Sequence, residues 1–303
     1  MNKQVVNNEI RKYTVSVFRA IIIAGICFTI LYPMFIKFTI CFKSSEDLLD
    51  NSIIFLSRHP TLDVIKIASK MMNFSGGLLN TIILCSLSGI FHVISCTLVG
   101  YSLGRFQYRF KGIIFILVVL TLIVPPQVIS IPMYISFRNF LGIGSLIDNP
   151  ISLLLLYLTA NSLKSGLYIY LLMQFFRNMP KEIEEAALVD GAGSMRTMLY
   201  IMLPNARLMM ITVFLFTFVW QWTDIFYSSM FFKNFSLLSL NLGVVGTTFA
   251  QHASNYLNIA VHPMMVSQIN NAGSILFIFP LVILYLICNR FFVQGIERSG
   301  IVG

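Results

Sequence analysis

The sequence predicts an all-α polytopic membrane protein with six transmembrane helices, a cytoplasmic helix-turn-helix loop and both termini cytoplasmic. Three observations predict it. The chain is 57% hydrophobic and only 11% charged, against about 25% charged residues in soluble domains, so its 303 residues hold too few polar groups to coat a water-soluble surface. The apolar residues are gathered into runs long enough for a bilayer core, which takes about 20 residues of helix. Lysine and arginine then fall on alternate sides of those runs, as the positive-inside bias requires.

The runs cover about 20–42, 78–103, 112–137, 151–176, 208–232 and 272–292. Each is expected to be helical, because backbone polar groups in lipid must be satisfied within the segment. Pro33 and Lys37 interrupt the first, Pro125, Pro126 and Pro132 lie in the third, and the fourth carries a polar patch at its centre. The first run follows basic residues, as a signal peptide would. It is too long for a signal core and has no small-x-small cleavage site, so it reads as a retained span.

With the N-terminus inside, the inner side receives Lys3, Arg11, Lys12, Arg19, Arg105, Arg109, Lys111, Arg177, Lys181, Arg196, Arg207, Arg290 and Arg298. The short outer loops receive only Arg138 and Lys233. The outer segment 43–77 also holds Lys43, Arg58, Lys66 and Lys70, but long loops weigh little in this bias. Most of the net charge of +9 is thereby a matter of topology, and no nucleic-acid partner is expected.

Chemistry-bearing clusters are not evident. The five cysteines, Cys27, Cys41, Cys85, Cys96 and Cys288, form no CxxC pair and read as small apolar residues. His59, His92, His252 and His262 have no metal-ligand spacing, and His92, alone in an apolar run, is expected in the core. The sequence holds no GxxxxGK[ST] loop, no nucleophile elbow and no convincing pair of catalytic acids. No catalytic residue, metal or cofactor is expected in this chain.

The segment RNMPKEIEEAALVDGAGSMRTMLYIMLPNAR, beginning at Arg177, is unlike a simple connector. Asn178 and Pro180 suit a helix start, and Glu182, Glu184 and Glu185 favour a first turn. Gly191 and Gly193 interrupt, Ser194 suits the cap of a second helix running to Leu203, and Pro204 follows. The first helix offers Ile183, Ala186 and Ala187 as an apolar stripe, and the second offers Met195, Met198, Leu199 and Met202. Helices this short are not stable alone. They need either the lipid headgroups or a partner's groove.

The spacing Glu185-Ala186-Ala187, three residues, Gly191, nine residues, then Ile201-x-Leu203-Pro204 resembles the EAA loop of ABC importer permeases, with Asp190 and Ala192 matching its common DGA form. Three further stretches extend the resemblance: LLNTIILCSLSGIFHVISCTLVGYSLGRFQYR from Leu78, FTFVWQWTDIFYSSMFF from Phe216 with Thr223 where Asn is usual, and NRFFVQGI near the end. The last is similar to the closing segment of maltose-type carbohydrate permeases, and of these more to the second, G-type subunit of the pair. The ending SGIVG departs from the glycine-and-lysine-bearing tail of that group.

The resemblance implies a single permease domain over 1–303 in a bacterial-type inner membrane, with 177–204 as coupling loop and 233–271 as an outer loop facing a binding protein. It implies a heterodimer with a second homologous permease, two copies of a cytoplasmic ATPase that bind ATP and Mg, and an extracytoplasmic solute-binding protein. Glu185, Ala186, Ala187, Asp190, Gly191, Leu203 and Pro204 would couple to the ATPase. Glu185 would make a polar contact, the alanines permit close approach and Gly191 permits the corner.

Polar groups inside spans are costly and so are candidates for the pathway. These are Asn80, Gln127, Asn161, Lys164, Trp222 and Asp224, with Thr159, Ser162, Ser165, Trp220 and Gln221 beside them. Aromatics next to hydrogen-bonding groups suit sugar faces and hydroxyls, although Trp also anchors helices at interfaces. A self-contained secondary transporter would instead carry an intramembrane charge relay. Within the importer reading, a polyol or glycerol phosphate is the alternative cargo to a sugar.

Overall fold

The computed structural model describes residues 3–50, 52–142, 144–257 and 261–298, with side chains for 12–50, 52–142, 144–255 and 261–290. The SGIVG ending and Asn258 to Ala260 of the outer loop lie outside the described residues. Among the described residues the regular structure is helical. It comprises α1 (Lys3–Cys41), α2 (Ser45–Leu49), α3 (Asp63–Met71), α4 (Phe74–Arg105), α5 (Lys111–Ile123), α6 (Pro126–Arg138), α7 (Ile151–Leu158) and α8 (Ser165–Asn178). Then come α9 (Glu182–Val189), α10 (Ser194–Thr197), a π-helical turn (Met198–Met202), α11 (Leu203–Asn205), α12 (Arg207–Thr223), α13 (Phe226–Phe231), α14 (Leu238–Leu257) and α15 (Pro263–Arg298).

Among the described residues three segments are long and apolar enough to cross a membrane: Lys12–Cys41 of α1, Phe74–Arg105 of α4 and Pro263–Arg290 of α15. Two bent pairs raise the number to as many as five: α5 with α6, bent by 102°, and Ser194–Asn205 with α12, bent by 72°. The first bend falls at Pro125–Pro126, where two successive residues lack an N–H and the ring of the second forces Pro125 to an extended ψ of 137°. The run at 151–176 is also two helices, with α7 and α8 separated by the polar stretch 159–164.

Three helices overrun the apolar runs that signalled them, α1 by starting at Lys3. α4 starts at Phe74 and α15 at Pro263, each carrying polar residues in its first turns. The polar 233–271 segment, read as an outer loop, is largely α14 and the start of α15. Its Asn, Thr and Gly content hid a helix of 20 residues.

The chain divides into two compact units, Met1–Met72 with Val244–Leu276, and Asn73–Gly243 with Phe277–Gly303. In the first unit, residues 12–35 of α1 are exposed throughout. This apolar surface suits lipid rather than water. After α1, Lys43 is buried and donates to the carbonyls of Ile53 (2.6 Å) and Ile54 (3.1 Å). Gln268 donates to the carbonyls of Ile40 (2.9 Å) and Lys43 (2.8 Å).

In the second unit α4 is the hub, packed against α7, α8 and α12. One core cluster joins Cys96, Tyr101 and Leu103 of α4 to Leu172 and Phe176 of α8 and to Met198, Met202, Ala206 and Met209. Another joins Leu84 to Leu153, Phe137, Tyr227 and Phe231. The approach of α4 to α8 is close: a Cβ on Gly100 would lie 2.8 Å from Leu172 Cβ, and one on Gly104 3.0 Å from the Met173 carbonyl. Cys41, Cys85 and Cys96 are buried as expected of small apolar residues, whereas Cys27 is exposed.

Candidate functional site

The 177–204 loop starts where Met179, preceding Pro180, turns extended (φ −71°, ψ 142°) and stops α8. The next helix, α9, begins at Glu182, later than Asn178 and Pro180 suggested. Asn178 still belongs to α8, and Lys181 stands at the cap without a side-chain bond. Glu182, Glu184 and Glu185 occupy the first turn, where the helix dipole favours acids. At the other end Gly191 takes φ +78°. Its N–H bonds to the Leu188 carbonyl (3.0 Å) and that of Ala192 to the Ala187 carbonyl (2.9 Å). This pair of bonds is the Schellman closure, which wants glycine at the left-handed position.

The second half departs from the single helix expected up to Leu203. Gly193, not Ser194, is the N-cap, and only Ser194–Thr197 is α-helical before the chain widens into the π turn. The Leu203 N–H reaches back five residues to the Met198 carbonyl. Pro204, which has no N–H, leaves room for that wider turn. The extra residue splits the expected methionine stripe: Met198 and Met202 are buried in the core, while Met195 and Leu199 face outward with Tyr200.

Glu184 and Glu185 have different fates. The Glu184 carboxylate is ion-paired with Arg105 Nε at 3.1 Å, and the Arg105 side chain is 5% exposed. Tyr101 Oη donates to Glu184 Oε1 at 3.1 Å. The Arg105 Nη1 and Nη2 groups donate to the carbonyls of Met179 and Pro180, each at 3.0 Å. Arg105, Lys111, Arg177, Lys181, Glu184 and Glu185 help line an adjoining cleft of about 840 Å³. Glu185 and Ala186 are exposed, and the Glu185 carboxylate has no hydrogen bond or ion pair among the described residues. Ala187 is buried, Leu203 half-buried, and Asp190, Gly191 and Pro204 exposed.

The six pathway candidates fall into two kinds. Asn80 donates to the Ser236 carbonyl (3.1 Å). Trp222 is buried, stacks on Phe218 and donates to the Phe277 carbonyl (3.3 Å). Asp224 is buried and accepts from the Tyr227 N–H (3.2 Å), the Ser228 N–H (2.8 Å) and Ser228 Oγ (2.9 Å), which fixes the start of α13. These three are engaged within the chain. Gln127, Asn161 and Lys164 are exposed. Lys164 sits at φ +61° at the start of α8 with Nζ 5.0 Å from the ring centre of Trp220, itself exposed. The break that holds Asn161 and Lys164 is stapled by His92: Nε2 contacts Ser165 Oγ (2.8 Å) and Ser162 Oγ (3.2 Å), and Nδ1 contacts Thr217 Oγ1 (2.9 Å).

Outside the apolar segments, Asp148 (φ +64°) accepts from the backbone N–H groups of Lys233 (3.1 Å), Asn234 (3.0 Å) and Phe235 (3.1 Å). The Asn234 N–H is the main cause that holds its carboxyl below the ordinary value of 3.8.

Residues 96–298 match the family described as binding-protein-dependent transport system inner membrane component. The chain belongs to that family. It is therefore a membrane component of a binding-protein-dependent transport system. It is similar to the melibiose/raffinose/stachyose import permease protein MelC of Bacillus subtilis, 24% identical over 226 residues, 74% of this chain and 75% of that protein. It is also similar to the probable starch degradation products transport system permease protein AmyC of Thermoanaerobacterium thermosulfurigenes, 25% identical over 91% of this chain and 94% of that one. A third relative is the sn-glycerol-3-phosphate transport system permease protein UgpE of Yersinia pestis, 27% identical over 73% of this chain and 72% of that one. A solved chain, from the crystal structure of a bacterial ABC transporter involved in the import of the acidic polysaccharide alginate, shares the fold with TM-score 0.72 at 17% identity, over 93% of this chain and 98% of that one.

In this transport-system component, sequence reasoning singled out Glu185 but not Tyr101, Arg105 or Glu184. Arg105 counted only as a topological charge. Its partner is 79 residues away by number (184 − 105), and no local spacing rule links them.

Proposed function

We propose that this chain is one of the two permease subunits of a carbohydrate importer, with six spans and both termini cytoplasmic. In this reading the third, fourth and fifth spans are the broken pairs α5–α6, α7–α8 and α12–α13. The 177–204 loop is the coupling loop that docks one of two separate ATPase subunits, which bind ATP and Mg. A second permease completes the pathway, and an extracytoplasmic binding protein meets the 233–271 segment. The chain itself hydrolyses nothing.

One observation carries the coupling reading. The loop is anchored on one side, by Ala187, Met198 and Met202 in the core and Glu184 on Arg105. Its other side presents an unpaired Glu185 with Ala186, Leu188, Val189, Met195 and Tyr200 exposed. A rigidly held surface on which large apolar side chains stand beside the unpaired Glu185 suits a protein groove better than water. ATP-driven closure of the partner would move that surface as a body and so bias inward- against outward-facing states. Co-purification of the ATPase with the intact chain, and its loss in Glu185→Arg, tests this. Undiminished association in that variant sinks the docking assignment.

Sugar cargo is supported by the similarity to MelC, a melibiose/raffinose/stachyose import permease protein, and to AmyC, a probable starch degradation products transport system permease protein. A second reading, an anionic cargo, has its own support in Lys164. This cation lies in the polar break between α7 and α8, with Trp220 as neighbour and no ion pair to a described carboxylate. An uptake panel of neutral oligosaccharides, uronate oligosaccharides and glycerol phosphate separates the two. Lys164→Gln should abolish transport only of the charged compounds if the second holds.

A further inference from the structure

Arg105 is the last residue of α4 and, among the described residues, one of the least exposed charged side chains. Its guanidinium binds three positions on the first half of the 177–204 loop: the carbonyls of Met179 and Pro180 and the carboxylate of Glu184. Planar, fixed donors make such a contact a rigid joint where a lysine would make a swivel. Behind it, Gly100 and Gly104 let the backbone of α4 approach α8 so closely that a Cβ at either would meet Leu172 or Met173 at 3.0 Å or less. The same α4 packs on α7 and α12. A displacement of α9 is thus passed to a helix that touches two of the three broken spans, α7–α8 and α12–α13.

We propose that Arg105 is a positioning residue, the joint through which movement of the 177–204 loop is carried into α4. This rests on the reading of that loop as the ATPase dock. Glu184 and Tyr101 set the angle of the guanidinium, and Glu185 stays free for the partner. Paired as it is, Glu184 takes no part in docking. The two neighbouring acids divide the work, one facing inward to the transporter and the other outward to the motor.

The test uses the whole complex, with both permeases, the ATPase and the binding protein, reconstituted in liposomes. Arg105→Gln should keep ATPase association and basal hydrolysis. The stimulation of hydrolysis by loaded binding protein, and uptake per ATP, should fall about tenfold, the factor that loss of one charge-assisted hydrogen bond implies. Glu184→Gln should move the same ratio in the same direction, and Arg105→Lys should recover part of it. Wild-type stimulation and uptake in Arg105→Gln overturn the proposal. So does loss of assembly in both Arg105→Gln and Glu184→Gln, which would make the contact purely structural. If the ATPase fails to associate with the unmodified complex, it is the docking reading that falls, a separate result.

Discussion

Gly191 stands at φ +78° with open space where a Cβ would project. Substitution there is limited by backbone strain, not by a clash. Gly191→Ala therefore costs about 1–2 kcal/mol of left-handed strain and should slow uptake only modestly. Aspartate tolerates that conformation better than most residues, so Gly191→Asp should insert and fold. It puts a second carboxylate beside Asp190 on the exposed corner, and is expected to uncouple ATP hydrolysis from uptake. Normal uptake by Gly191→Asp removes the coupling role. Asp148 offers a pH test. Its folded pKa lies below the ordinary 3.8, so its stabilisation is fully present above that value and is lost only as the pH falls through the lower folded one. Hydrogen-exchange protection factors at 233–235 should match at pH 7 and pH 5 in the natural protein. They should drop at both pH values in Asp148→Asn, and an unaltered drop-free profile there would deny the clamp.

At the scale of elements, the α4–α8 contact sets a limit on side-chain size. Gly100→Leu forces methyl groups into the backbone of Met173 and the Leu172 side chain. Overpacking of this kind costs about 1–3 kcal/mol, which a lowered thermal midpoint in detergent would register; an unchanged midpoint argues that the two helices separate easily. Elements announced themselves in the sequence where the chemistry was local. Pro125–Pro126 marked the 102° bend, and the polar centre of 151–176 marked the gap between α7 and α8. Gly191 marked the corner. α14 stayed hidden because its Asn, Thr and Gly residues look like loop composition. The π turn stayed hidden because Met195, Met198, Leu199 and Met202 satisfy an α period. Only the core, which accepts Met198 and Met202 and leaves the other two outside, shows the different pitch.

For the molecule as a whole, the apolar runs and the basic residues between them were legible because lipid imposes them on the sequence. The site was legible in outline only. The EAA spacing located the exposed Glu185, but the Arg105–Glu184 pair and the burial of Trp222 and Asp224 depend on helices far apart in sequence. The proposed topology has its own test. With the native cysteines replaced, Leu188→Cys (56% exposed) should react with an impermeant maleimide only from the cytoplasmic face, and Leu56→Cys (80% exposed) only from outside. Labelling of both from one side rules out the six-span arrangement.

The π turn at Met198–Met202 holds one residue more than an α-helical turn would. Losing one codon there, for example that of Tyr200, would restore an ordinary helical pitch and rotate everything before it by about 100° relative to α12. Such a deletion would then turn the rest of the proposed docking face aside, beyond the loss of Tyr200 itself. This short stretch should therefore accept substitutions far more readily than changes in length.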